Sequence, residues 1–283
     1  MEFWYSERHT KDIKLSIRVE KQLYSGKSEY QQIDVFESPE LGRVLVLDGF
    51  LMLTEKDEFI YHEMISHVAM AVHPNIKNVL VIGGGDGGVV RELVKYKSIE
   101  HIDLVEIDSK VVEVCKEYFP KITASLKDKR VQIHNKDGLR FVRGCQNCYD
   151  LIIVDSTDPF GPGEGLFTLE FYGNCYKALK EDGIMVNQHE SPFYTEDALA
   201  CQKAHKNIYA TFPICKVYQA HIPTYPSGHW LFGFASKKYH PLKNLQVEEW
   251  KKQGIQCKYY TTTLHKGAFY VPAYVEELLK NVE

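Results

Sequence analysis

Along the first 55 residues apolar and polar positions alternate. Ile13, Leu15, Ile17 and Val19 fall on one face of an extended chain, Ile33 and Val35 follow, then Val44 and Val46, with turn residues between the runs. A period of two marks strands with one buried face. Asp48-Gly49 stands between apolar pairs. That dipeptide suits a type I′ hairpin loop, because both central residues must take positive φ. A small antiparallel β unit is predicted. From Asp57 the period becomes helical: Phe59, Ile60, Met64, Ile65, Val68 and Val72 form a stripe that Pro74 ends.

Beyond Pro74 short apolar runs alternate with amphipathic segments. The runs Val79–Ile82, Ile102–Val105, Val131–Ile133, Leu151–Val154 and Ile184–Val186 read as strands. Helices are expected over Val89–Tyr96, Lys110–Phe119, Leu169–Leu179 and Glu196–Thr211. Uninterrupted apolar strands separated by helices imply a parallel sheet covered on both faces. Ile214–His221 and Trp230–Ala235 predict an antiparallel pair at the sheet edge, and Val271–Leu279 a packing helix. With no repeat, low-complexity stretch or linker, the expected division is a β domain over 1–56 packed directly on an α/β domain over 57–283.

Composition narrows the function classes. The 283 residues are 44% hydrophobic and 25% charged, enough to bury a large core without disulfides or metal. A net charge of −4 gives no global attraction for nucleic acid or anionic lipid, and leaves room for a cationic small molecule. Neither a signal peptide nor a membrane span is evident, and seven scattered cysteines read as reduced thiols, so a cytoplasmic location is expected. Cys145 and Cys148 form a lone CxxC that reads as loop. His62 and His67 are five apart, so their side chains diverge on a helix and make no zinc motif; no metal is expected. Lys127–Arg130 with Lys136 reads as a solvated loop face.

The strongest chemical signal is Gly83-Gly84-Gly85-Asp86-Gly87-Gly88, between a strand and a helix. It holds the GxGxxG spacing that lets backbone approach a ligand, and the next strand ends at Glu106, placed to hold ribose hydroxyls. Asp86 selects among nucleosides. A pyrophosphate or an α-carboxylate beside it would meet a second anion, a repulsion of several kcal/mol in a partly dry site. That disfavours NAD and intact S-adenosylmethionine, and favours a nucleoside bearing an ammonium without a carboxylate, such as decarboxylated S-adenosylmethionine. A second cluster, Asp155-Ser156-Thr157-Asp158-Pro159-Phe160-Gly161-Pro162-Gly163-Glu164, begins at the carboxyl end of a strand. Two carboxylates facing a crevice there can hold an ammonium and take its proton; the plain alternative is a capped turn.

Together with Asp137-Gly138, Pro223-Thr224-Tyr225-Pro226-Ser227-Gly228 and Lys56–Glu63, these segments resemble, in order and over nearly the whole chain, the spermidine synthase family of polyamine aminopropyltransferases. The resemblance implies a Rossmann-like sheet of the class I methyltransferase type behind a small N-terminal antiparallel β domain. It implies aminopropyl transfer from decarboxylated S-adenosylmethionine, a cosubstrate, to putrescine, giving spermidine and methylthioadenosine without a cofactor. Carried over by position, Asp155 is the proton acceptor. Asp86 holds the aminopropyl ammonium, Glu106 the ribose, and Asp137 with Gly138 the adenine; Gln31 and Pro162 also touch the donor. Tyr61, His62, Asp158, Gln188 and Tyr225, with Asp86 and Asp155, shape the amine site. His62 is of the bacterial type, a loop after Asp155 closes over the ligands, and homodimers or homotetramers are usual. The competing readings are a putrescine N-methyltransferase, an aminopropyltransferase with another amine acceptor, and a catalytically silent binder. Trp4 reads either as packing, the commoner role of a terminal aromatic, or as a wall of the amine channel.

Overall fold

The computed structural model of the chain describes residues 2–156 and 161–282. Six strands precede the first helix: β1 (Phe3–Arg8), β2 (Lys14–Val19), β3 (Lys21–Lys27), β4 (Gln32–Ser38), β5 (Gly42–Leu47) and β6 (Phe50–Thr54). The first two pair as an antiparallel hairpin, and the other four form an antiparallel sheet in chain order. Ile33, Val35, Val44 and Val46 are buried, as their alternation requires. Asp48 and Gly49 have φ of 50° and 88°, the type I′ signature, and Leu47 pairs with Phe50 across them. Strand β1 has no alternating apolar signal of its own, and Trp4 on it stands exposed.

The remaining strands are β7 (Asn78–Gly83), β8 (His101–Val105), β9 (Val131–His134), β10 (Tyr149–Asp155), β11 (Leu179–Gln188), β12 (Ile214–His221) and β13 (His229–Ser236). They make one sheet in the order β12-β13-β11-β10-β7-β8-β9. Six run in one direction, β11-β10-β7-β8-β9 as parallel neighbours, while β13 runs antiparallel to both β11 and β12, so the expected edge pair is present. From β7 the chain winds outward through β8 and β9, then returns to place β10 on the other side of β7. Ligand crevices of such sheets open where the strand order reverses. Here that point is the paired carboxyl ends of β7 and β10, where Gly83 lies opposite Asp155.

Helices Glu58–Met70, Gly88–Leu93, Ser109–Tyr118, Gly138–Arg143, Leu169–Ala178 and Thr195–Tyr209 cover the sheet. The helix after the glycine turn stops at Leu93, short of the expected Tyr96, because Lys95 and Tyr96 close tighter i→i−3 turns onto Glu92 and Leu93. Tyr96 is thereby turned inward, where it bonds His67 at 2.7 Å and Trp250 at 3.0 Å. Arg130 is not a solvated side chain: it donates to the carbonyls of Val94, Tyr96 and Ile99 and pairs with Asp128.

Helix Glu58–Met70 is buried along almost its whole circumference. The sheet lies on one side and the segment 239–270 on the other. Glu63 accepts backbone N–H bonds from Lys258, Tyr259 and Tyr260, all at 2.8 Å, and Gln246 bonds Ala71 and Val72. His67 is held by Tyr96 and Glu92 within this core.

Candidate active site

A cavity opens at the reversal point and is walled on its outer side by β5 and β6. Its floor is the glycine turn. Gly83 has φ +81°, and a Cβ there would stand 2.0 Å from the Asp155 carbonyl oxygen, so only glycine lets β7 and β10 end this close together. Gly84 N–H donates to that carbonyl at 2.9 Å. The Asp155 side chain therefore emerges directly over the turn.

On the β7-β8-β9 side of Asp155 the lining residues suit a nucleoside. Glu106 accepts N–H bonds from Gly85 at 3.1 Å and Asp108 at 2.9 Å, one on each carboxylate oxygen. Burial, opposed by those two bonds, pushes its carboxyl up to about 7. Asp137 caps helix Gly138–Arg143 through Leu139 N–H at 2.8 Å, and both Asp137 and Gly138 line the cavity. Gln31 reaches in from the N-terminal sheet and donates to Asp108 at 2.9 Å. Leu45, Leu47, Ile82 and Leu166 supply apolar walls.

On the β11-β13 side stand Tyr61, Gln188, Tyr225 and Trp230. Tyr61 Oη donates to Asp155 Oδ1 at 2.7 Å, while Asp155 Oδ2 is buried and has no partner among the described residues. Burial and the nearby Asp86 charge raise the Asp155 carboxyl to about 6, against the lowering effects of His62 and Tyr61. Burial and Asp155 hold the Tyr61 phenol far above its ordinary value, so it stays a donor. Tyr225 packs on Trp230 with ring centroids 4.8 Å apart and on Tyr61 at 6.2 Å; its hydroxyl donates to the Met52 carbonyl at 2.9 Å, which leaves the ring for the cavity. Gln188 is bonded to Glu190 at 2.8 Å.

Asp86 is held from two sides. His62 Nε2 lies 3.3 Å from its Oδ1, and the Gly88 N–H donates to the same oxygen at 2.6 Å. The other His62 nitrogen meets Glu58 at 2.6 Å, and Arg91 grips Glu58 with two nitrogens at 2.7 and 2.8 Å. Burial alone would lower the His62 value, yet the flanking Asp86 and Glu58 carboxylates raise it to about 10. Asp86, although buried, is held below the ordinary carboxylate range by His62 and the Gly88 N–H. Ligand atoms of His62, Asp86 and Asp155 lie within 4.8 Å of one another, a set a metal ion could use. Both His62 nitrogens already face carboxylates, Glu58 at Nδ1 and Asp86 at Nε2, so an ion could enter only by displacing one of these contacts.

Of the residues singled out in sequence, Gln31, Tyr61, His62, Asp86, Glu106, Asp137, Gly138, Asp155, Gln188 and Tyr225 all line this one cavity. Asp158 lies outside the described residues, and of Pro162 only the backbone, in the 3-10 turn Gly161–Phe167, is described. The sequence reading missed Glu7, His9, Glu58, Glu190 and Trp230. Glu58 had a signal, an acid four residues before His62 on one helix; the others come from segments with no motif.

A family model described as "Spermine/spermidine synthase domain" matches residues 58–247, and one described as "Spermidine synthase tetramerisation domain" matches residues 3–55. The chain is similar to the polyamine aminopropyltransferase of Alkaliphilus oremlandii, 66% identical over 283 residues and covering 100% of both chains. It is 65% identical to that of Clostridium perfringens, again over 100% of both. Among solved structures, spermidine synthase from Thermotoga maritima superposes with a TM-score of 0.95 at 44% identity, covering 99% of this chain and 94% of that one. A spermidine synthase in complex with the transition-state analogue AdoDATO gives 0.96 at 44% identity, covering 99% and 95%.

Proposed function

The chain belongs to the spermine/spermidine synthase family, and from that premise we propose that it transfers an aminopropyl group from decarboxylated S-adenosylmethionine to putrescine, yielding spermidine and methylthioadenosine, with Asp155 as proton acceptor. The observation that carries this reading is the Asp155 carboxylate at the strand-order reversal, one oxygen anchored by Tyr61 and the other buried with no partner among the described residues. An ammonium nitrogen has no lone pair. Its proton passes to Asp155, the freed amine attacks the methylene next to sulfur, an N–C bond forms, and the C–S electrons return to sulfur as thioether. A carboxyl titrating at about 6 is ionised at neutral pH and is a stronger base than an ordinary aspartate. The sulfonium supplies the electrophile, and alignment of amine and methylene lowers the barrier by at most ~7–11 kcal/mol.

Glu106, with lone pairs left after its two N–H bonds, holds the ribose; Asp137 and Gly138 hold the adenine, and Gln31 and Pro162 also touch the donor. Asp86 receives the aminopropyl ammonium. Tyr61, His62, Gln188 and Tyr225 shape the amine site, and the rings of Tyr61 and Tyr225 favour a cationic chain. Asp158 is assigned to the distal ammonium. A donor carrying an α-carboxylate would set it among Asp86 and Asp155, which opposes methyl transfer from intact S-adenosylmethionine. The enzyme is a homo-oligomer built through its N-terminal β sheets, a reading supported by the match over residues 3–55 and by Phe3 and Trp4, each 57% exposed. No helix among the described residues is long and apolar enough to cross a membrane, and a cytoplasmic site of action fits a biosynthetic transferase.

The test is a panel of putrescine, cadaverine, agmatine and spermidine with each sulfonium donor. Spermidine and methylthioadenosine should appear fastest from putrescine with the decarboxylated donor. N-methylputrescine from intact S-adenosylmethionine, without aminopropyl transfer, would overturn the assignment.

A further inference from the structure

Behind the glycine turn, side chains of alternating charge form a half-buried row around the buried His62: Arg91, Glu58, His62, Asp86. The row continues away from the cavity, since Arg91 Nε also pairs with Glu92 at 2.9 Å and Glu92 meets His67 at 2.9 Å. Glu58 and His62 share one helix at i and i+4, Arg91 and Glu92 belong to the next helix, and Asp86 to the turn between that helix and β7. The His62 ring is also confined sterically. Tyr61 abuts it edge-on with centroids 5.5 Å apart, and a Cβ on Gly88 would stand 2.2 Å from His62 Cε1. With Nδ1 fixed by Glu58, the ring has one orientation in which Nε2 faces Asp86.

We propose that Glu58 is a positioning residue for the transfer reaction: held by Arg91, it keeps the His62 ring aligned as an imidazolium, which fixes the Asp86 carboxylate and shields Asp155 from it. The inference rests on the aminopropyl-transfer reading of this cavity. The groups facing His62 are Glu58 on its own helix and Asp86 on the turn, and those facing Asp155 are Tyr61, Asp86 and His62; Arg91 and Glu92 on the next helix lie behind Glu58. Glu106 at the end of β8 interacts with Asp155 from the far side. The sign of the effect follows. An imidazolium beside Asp155 favours its ionised form, and Asp86 disfavours it. Without Glu58 the ring loses one of its two anionic neighbours and gives up its proton at lower pH. Where the ring is neutral, or turned from Asp86 for want of the Glu58 bond, Asp155 faces Asp86 unshielded and holds its own proton to higher pH.

The experiment is the pH profile of kcat/KM for the decarboxylated donor in the full-length enzyme and in Glu58→Gln, His62→Gln and the double variant. In Glu58→Gln the acid limb should move up by about one pH unit, with kcat above that limb within threefold of wild type and donor KM raised about fivefold. His62→Gln should shift the limb the same way, and the double variant should go no further than His62→Gln alone. A limb that stays in place in Glu58→Gln, or a double variant whose shifts add, would overturn the proposal. Absence of aminopropyl transfer by the wild type would instead overturn the function itself. Independently of any variant's folding, the His62 Cε1 carbon resonance of the wild type should report an imidazolium from pH 6 to 8.5; a midpoint below pH 7 would contradict the proposal.

Discussion

His62 has a pKa near 10 in the fold against 6.5 in the open chain, and this sign has a consequence for stability. Its contribution is fully present below pH 6.5 and is lost as pH rises through 10. Asp155 and Glu106 are also raised, to about 6 and 7, so what they contribute below pH 4 is already gone by pH 8. Glu58, lowered to about 2, contributes above pH 4.5 and changes nothing in the alkaline window. Between pH 8 and 10, therefore, the melting temperature of the wild type should fall more steeply than that of His62→Gln. Parallel curves would show that the ring is not charged in the fold. Residues that the sequence made legible were those inside a motif: the Gly83–Gly88 turn, Glu106, Asp137 and Asp155. Glu7, His9 and Glu190 were not, because each reaches the cavity only through tertiary pairing. Glu7 is turned inward by the Leu51 N–H at 2.7 Å, and His9 by Asp197 at 2.9 Å.

Elements with a clear period fell within a residue or two of expectation, and their ends failed where side-chain contacts decide them. The helix after the glycine turn reads as continuing to Tyr96, but burial of Tyr96 against His67 and Trp250 tightens the chain after Leu93. Strand β11 runs from Leu179 to Gln188 although its only apolar run is Ile184–Val186, because Leu179 pairs with Tyr149 at its start and Asn187 with Val154 and Gly233 near its end. At this scale Gly83→Ala should cost about 2–4 kcal/mol in chemical unfolding, since a side chain at φ +81° would also meet the Asp155 carbonyl. Unfolding midpoints matching wild type would refute that reading of the turn. Glu63→Ala should cost about 3 kcal/mol or more, because three N–H groups of Lys258, Tyr259 and Tyr260 lose their acceptor. A loss under 1 kcal/mol would mean that water replaces it.

Across the whole molecule the topology places the chemistry. The order β10-β7-β8 gathers Asp155, the glycine turn and Glu106 at one edge, and β5 and β6 roof the nucleoside side. Alternation of apolar strands with helices made the α/β class legible, and the motif order made the family legible. The packing of segment 239–270 over helix Glu58–Met70 was not, because that segment carries neither periodicity nor motif and is held by polar caps such as Glu63. The central claim is that Asp155 takes the proton while the rest of the cavity binds. It is tested most directly by the single-turnover rate of Asp155→Asn at saturating decarboxylated S-adenosylmethionine and putrescine, with donor affinity measured calorimetrically on the same protein. The account predicts a rate reduced by about 10²–10⁴ with donor affinity within threefold of wild type. A rate within tenfold of wild type would contradict it.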